Sequence, residues 1–139
     1  MDDVVLNKAA IIERCVRRVR EEHAGDDRRL TEDITRQDSI ILNLQRACEA
    51  AIDLAMHLVR VHRLGIPQES RDAFKMLSEA GRLPSPLADR LMRMVGFRNV
   101  AIHDYRALNL DIVKAIIARH LEDLLGFGEL AVKESGGTT

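Results

Sequence analysis

The sequence predicts an all-α fold, an antiparallel bundle of four to five helices joined by short connections. Three observations predict it. Apolar residues recur at intervals of three and four through the long segments, and none alternates as a half-buried strand would. Aromatic residues make up 3% of the chain and tryptophan is missing. The core must therefore come from Leu, Ile, Val, Ala and Met, which suits packed helices better than stacked sheets. The breaks between periodic segments are short and carry Gly or Pro. At 139 residues the chain reads as one domain, able to bury a core without a metal or disulfide.

The first helix places Val4, Val5, Ala9, Ile12, Val16 and Val19 on one face. Asp2 and Asp3 suit its start and Gly25 its end. Arg17-Arg18 and Glu21-Glu22 lie one turn apart and read as a solvated face. After the polar break Asp26-Asp27-Arg28-Arg29, a long second helix is expected from about Thr31 to Leu64, closed by Gly65. Its stripe is Ile34, Ile41, Leu44, Cys48, Ala51, Ala55, Leu58 and Val59, and its length makes it the spine of the bundle. Gln37-Asp38-Ser39 interrupts the stripe and reads as a bend or an exposed overhang. Gly65-Ile66-Pro67 is a turn. Ser70 is placed to cap a third helix running to Ala80, with Phe74 and Leu77 inward and Gly81 as its stop. Ser85 at the N-cap and Pro86 at the first helical position start a fourth helix. It carries Leu87, Leu91, Met94 and Val95 into residues 94–105. Asn109 caps a last helix with Leu110, Val113, Ile117, Leu121 and Leu124 inward, closed by Gly126-Phe127-Gly128. The domain is thus residues 1–125, and residues 126–139 are expected to be a disordered tail.

A net charge of −1 argues against broad, non-specific coating of nucleic acid. A local site is still open. Arg82, Arg90, Arg93, Arg98 and Arg106 face only Asp89 and Asp104 in that segment, a local excess of three positive charges. Arginine is the side chain best shaped for phosphate, although a basic solvated face is the plainer reading. Cys15 and Cys48 have no CxxC spacing and fall on apolar faces, so buried, reduced thiols in a cytoplasmic protein are expected. The start of the chain is acidic and lacks the apolar run of a signal peptide, and no apolar run approaches the ~20 residues of a membrane span.

The chemistry gathers in residues 94–105. Arg98, Asn99, His103, Asp104 and Tyr105, the single tyrosine, interrupt an otherwise ordinary apolar pattern. Asn99 and His103 share a helix face, whereas Arg98 and His103 diverge by about 140° on a straight helix. A bend near Gly96, a helix end near His103, or a two-fold dimer placing the groups of two chains across one cleft would bring them together. Histidine can move a proton near neutrality, and arginine can offset charge developing on a phosphate. Without a metal, that pair suits cleavage of RNA by its own 2′-hydroxyl. The same two residues near a helix end also serve to cap carbonyls or pair with an acid such as Asp104. Asp53 and His57 stand one turn apart, but two ligands do not make a metal site, so no metal or cofactor is expected. His23, His62 and His120 read as surface or half-buried residues, and Met56, Met76, Met92 and Met94 as core filler.

Residues 98–105, Arg-Asn-Val-Ala-Ile-His-Asp-Tyr, resemble the R-x4-H-x-Y motif of HEPN domains, specifically of the HepT-like family. Residues 94–97, residues 51–58 on the long helix and residues 74–77 are also similar to that family, and the resemblance spans roughly Val4 to Leu125. It implies an all-α, homodimeric ribonuclease toxin in which two motifs face one cleft, with further assembly left open. It implies RNA as substrate, Arg98 and His103 as catalytic residues, Asn99 as a polar helper and Asp53 in a supporting role. It implies a small nucleotidyltransferase antitoxin of the MntA type as partner, which silences the toxin by transferring AMP to Tyr105. The alternative is a non-catalytic HEPN subunit that only binds such a nucleotidyltransferase.

Overall fold

The computed structural model describes residues 2–136, and among them are seven α-helices, one 3-10 turn and no strand. The helices are α1 (Asp3–His23), α2 (Arg28–Thr31), α3 (Ile34–Val61), α4 (Ser70–Glu79), α5 (Ser85–His103), α6 (Leu110–Arg119) and α7 (Leu121–Gly136), with the 3-10 turn Tyr105–Ala107 between α5 and α6.

Helix α3 is the spine, packed against α1, α4 and α5. It buries Ile41, Leu44, Cys48, Ala51, Ala55, Leu58 and Val59 as the periodicity predicts, while Ile34 at its first turn is 72% exposed. The long helix also begins later than expected. Residues 28–31 form the separate turn α2, which buries Leu30, and Asp33 caps α3 by accepting from the Arg36 N–H. The helix runs unbroken through Gln37-Asp38-Ser39, and Asp38 there is exposed.

Helix α1 lies against α3 and α7 through Val5, Ile12, Cys15, Val16 and Val19. Val4 is exposed, because the inward stripe is set by Val5. Asp2 caps α1, accepting from the Val4 and Val5 N–H groups, and its other oxygen meets His57 Nε2 of α3 at 2.6 Å. Gly65 sits at φ +129, and a Cβ there would come within 2.8 Å of Met76 Cε, so the α3–α4 turn requires glycine.

Helix α4 is capped by Glu69 rather than Ser70, in a reciprocal box with Asp72. The fourth predicted start is likewise shifted by one: Pro84 holds the cap position of α5 and Ser85 is already helical.

The largest departure is at the C-terminus. The expected stop at Gly126-Phe127-Gly128 and the tail from residue 126 do not hold. The predicted last helix divides at His120, and α7 then runs to Gly136 with Leu124, Phe127, Gly128 and Ala131 buried. Phe127 meets Phe74 edge to face at 5.6 Å. Gly128 lies against Ala9 of α1, so a small residue there favours close packing of the two helices. Residues 137–139 lie outside the described residues.

Candidate functional site

The predicted site lies along the second half of α5 and just beyond it. The helix is unbroken through Gly96 and ends at His103. Gly96 makes room: a Cβ there would stand 3.1 Å from the Arg71 guanidinium, which crosses from α4 to bond the Met92 carbonyl. After His103, Asp104 leaves the helical conformation at φ −153, ψ 71, and the chain turns through Tyr105–Ala107.

Arg98 points into the bundle. One terminal nitrogen donates to Glu49 Oε1 of α3 at 2.6 Å, and the other donates to Ser70 Oγ of α4 at 3.0 Å. Its side chain is only 16% exposed, and its buried Nε has no hydrogen-bond partner among the described residues. A guanidinium offers five donors in a rigid fork, so these two contacts fix its plane and leave further N–H groups uncommitted. Cys48 lies beside this pair. Its thiol is pushed up to about 12, by burial first and by the Glu49 charge second, and is therefore inert.

His103 points elsewhere. It is exposed and has no side-chain partner among the described residues. By helical spacing it continues the line of Gly96 and Val100, roughly opposite to Arg98. That side of α5 borders an apolar groove of about 420 Å³, walled by Phe97 and Val100 from α5 and Ile112 and Ile116 from α6, with Arg93 at its edge. Within one chain, Arg98 and His103 share no hydrogen-bond partner among the described residues, and helical spacing turns them apart.

Tyr105 is 41% exposed, and its Oη donates to Asp38 Oδ1 of α3 at 2.5 Å. Burial, then the bond to Asp38 and its negative charge, push the phenol up to about 12. Asn99 is half-buried and makes no side-chain hydrogen bond among the described residues. Asp53 is exposed and pairs with Lys8 of α1 at 3.2 Å. His57, one turn on, is taken by Asp2, so the two residues considered together as ligands have separate partners.

The local arginine excess is smaller in space than in sequence. Arg82 pairs with Glu134, Arg90 with Asp123 and Arg98 with Glu49, and among the described residues Arg93 and Arg106 form no ion pair. Glu49, Ser70 and Asp38 are the site residues that sequence reasoning missed. Ser70 reads as a cap and Asp38 as a flaw in the stripe, and nothing local marks Glu49.

An all-helical chain with an arginine, a histidine and a tyrosine spaced along and just past one helix end is the arrangement that the resemblance to HEPN domains implies. The chain belongs to the ribonuclease HepT-like family, whose model matches residues 12–130. It is 50% identical over 127 residues to the mRNA nuclease HepT of Shewanella oneidensis, covering 91% of this chain and 95% of that protein. Among solved structures it resembles the tri-AMPylated Shewanella oneidensis HEPN toxin in complex with its MNT antitoxin, with a TM-score of 0.89 and 48% identity over 96% of this chain and 99% of that one. It resembles equally a toxin–antitoxin complex with AMP-PNP, with a TM-score of 0.88 and 48% identity over 94% of this chain and 99% of that one. Among the described residues no helix is long and apolar enough to cross a membrane.

Proposed function

We propose that this chain is a metal-independent endoribonuclease toxin that acts as a homodimer and is silenced by a nucleotidyltransferase antitoxin of the MNT type. The observation that carries the reading is the pair of unlike environments on α5. Arg98 is fixed and paired with Glu49 inside the bundle, while His103 is exposed at the helix end with no side-chain partner among the described residues. A second chain related by a two-fold axis supplies the missing convergence, with the imidazole of each protomer reaching the guanidinium side of the other.

In that cleft His103 takes the proton from the RNA 2′-hydroxyl or returns one to the leaving 5′ oxygen. The N–H groups of Arg98 that Glu49 and Ser70 leave uncommitted donate to the phosphorus-bound oxygens as charge grows on them. The 2′-oxygen attacks phosphorus, the bond to the 5′ oxygen breaks, and a cyclic phosphate remains. DNA lacks the nucleophile and is spared. Asn99, on the His103 face, is a polar helper, and Asp53 supports through its place on α3.

Silencing follows from charge and room. AMP attached to Tyr105 brings a phosphate and a nucleoside to the chain segment just beyond His103, where they occupy and neutralise an anion site.

The test is RNA cleavage by the purified chain in EDTA, with the products analysed for cyclic phosphate. His103→Ala is expected to lose about 10²–10⁴-fold and Arg98→Ala about 10²–10³-fold. Undiminished cleavage by both variants removes the proposal. One observation favours a second reading: Glu49 already offsets the Arg98 charge. A non-catalytic subunit that only binds the nucleotidyltransferase would form that complex and leave RNA intact at every protein concentration.

A further inference from the structure

Asp38 stands in the second turn of α3, sixty-seven residues from Tyr105 in sequence, and accepts the phenol hydrogen at 2.5 Å. Both side chains lie at the exposed surface, so a partner enzyme can reach the phenol without opening the bundle. Asp38 is the charged group acting on Tyr105 among the described residues. A solvated phenol–carboxylate contact this short is no core requirement, and nothing in the cleavage chemistry above uses it. We propose that Asp38 is the general base for modification of Tyr105, so that the toxin itself supplies a catalytic group for its own silencing. This rests on Tyr105 being the residue that receives AMP.

Tyr105 Oη attacks the α-phosphorus of ATP, and the Oη–phosphorus bond forms. The bond from that phosphorus to the oxygen bridging the β-phosphate breaks, and pyrophosphate leaves with the electron pair. The phenol proton passes to Asp38 Oδ1 and from there to solvent. A base is needed because the phenol, held near 12, is ionised to roughly one part in 10⁵ at neutral pH. Prior ionisation therefore supplies little of the nucleophile. A carboxylate already bonded to the hydrogen removes it as the new bond forms, when the oxygen becomes acidic. The same contact dissolves in the product. The ester oxygen has no hydrogen to donate, and the phosphodiester carries a negative charge that Asp38 repels. The modified side chain is thus released from α3.

The experiment measures initial rates of AMP incorporation from ATP and Mg²⁺ with the chain's MNT-type nucleotidyltransferase, across a range of pH. Wild type, Asp38→Asn, Asp38→Glu and Tyr105→Phe are compared, each first checked for an unchanged thermal transition and for binding to the enzyme. The expected result is a fall of about 100-fold or more for Asp38→Asn, expressed in kcat rather than KM. Its rate should also rise steadily with pH where the wild-type rate is flat, and Asp38→Glu should recover part of the loss. A wild-type rate and pH profile in Asp38→Asn would overturn the proposal and place the base on the enzyme, as would a loss confined to KM. Tyr105→Phe separates the two layers. If it still takes up AMP, the modification site is elsewhere; if it takes up none while Asp38→Asn reacts normally, only the role of Asp38 fails.

Discussion

Tyr105 is the single tyrosine and the chain has no tryptophan, so phenolate absorbance reports on this one side chain. Burial, then the hydrogen bond to Asp38, favours the neutral form, and the pKa is expected near 12. Removing the carboxylate in Asp38→Ala takes away two of the three causes and should move ionisation down toward the ordinary value of 10.0. A spectrophotometric titration checks this, and an unchanged midpoint would mean that the contact is absent in solution. Arg98 makes a second residue-level prediction. Glu49→Ala leaves a largely buried guanidinium without its ion partner, while Glu49→Gln keeps an acceptor. The first should cost about 1–3 kcal/mol in urea unfolding, discounted because Glu49 is 35% exposed, and the second less. At this scale the sequence was half legible. Arg98, His103 and Tyr105 fall within eight positions of one another, and their chemistry announces itself locally. The groups that hold them do not, because Glu49, Ser70 and Asp38 arrive from 49, 28 and 67 positions away. Only folding brings those residues into contact, and no spacing rule marks them.

At the scale of elements, the amphipathic stripes of α1 and α3 were readable because each repeats over many turns. The ends were less so. Ser70 and Ser85 have the chemistry of caps, yet Glu69 and Pro84 occupy those positions, and a one-residue slip is within the ordinary uncertainty of helix ends. Helix α7 was missed for a different reason. Two glycines disfavour a helix by about 1 kcal/mol each, but burial of Phe127 against Phe74 and close contact with α1 outweigh that local preference. Phe127→Ala should therefore destabilise the chain by about 3–5 kcal/mol, measured by denaturant unfolding, where a disordered tail would show no effect. Helix α1 carries a pH-dependent tie. The hydrogen bond from His57 is the largest cause holding the Asp2 carboxyl below its ordinary 3.8. A carboxyl depressed by folding stabilises above its unfolded pKa and loses that contribution as pH falls through the folded value. Asp2→Asn keeps a capping oxygen but not the charge. It should be less stable than wild type at neutral pH, and the gap should close well below pH 3.8.

At the scale of the whole molecule, the bundle sets a geometric problem that one chain does not solve. Helix α5 aims Arg98 at α3 and α4, His103 is exposed at its end, and the helix is continuous through Gly96. Two copies joined so that each helix end meets the other's arginine side would build one site from groups of both. The claim is tested most directly by mixing. Arg98→Ala and His103→Ala chains, each expected to lose activity alone, are unfolded together, refolded, and checked by mass for mixed dimers. A mixed dimer keeps one guanidinium and one imidazole, contributed by different protomers, and RNA cleavage in EDTA is expected to reappear at a measurable fraction of the wild-type rate. Mixed dimers that form in quantity and leave RNA uncut would contradict a site shared between two chains.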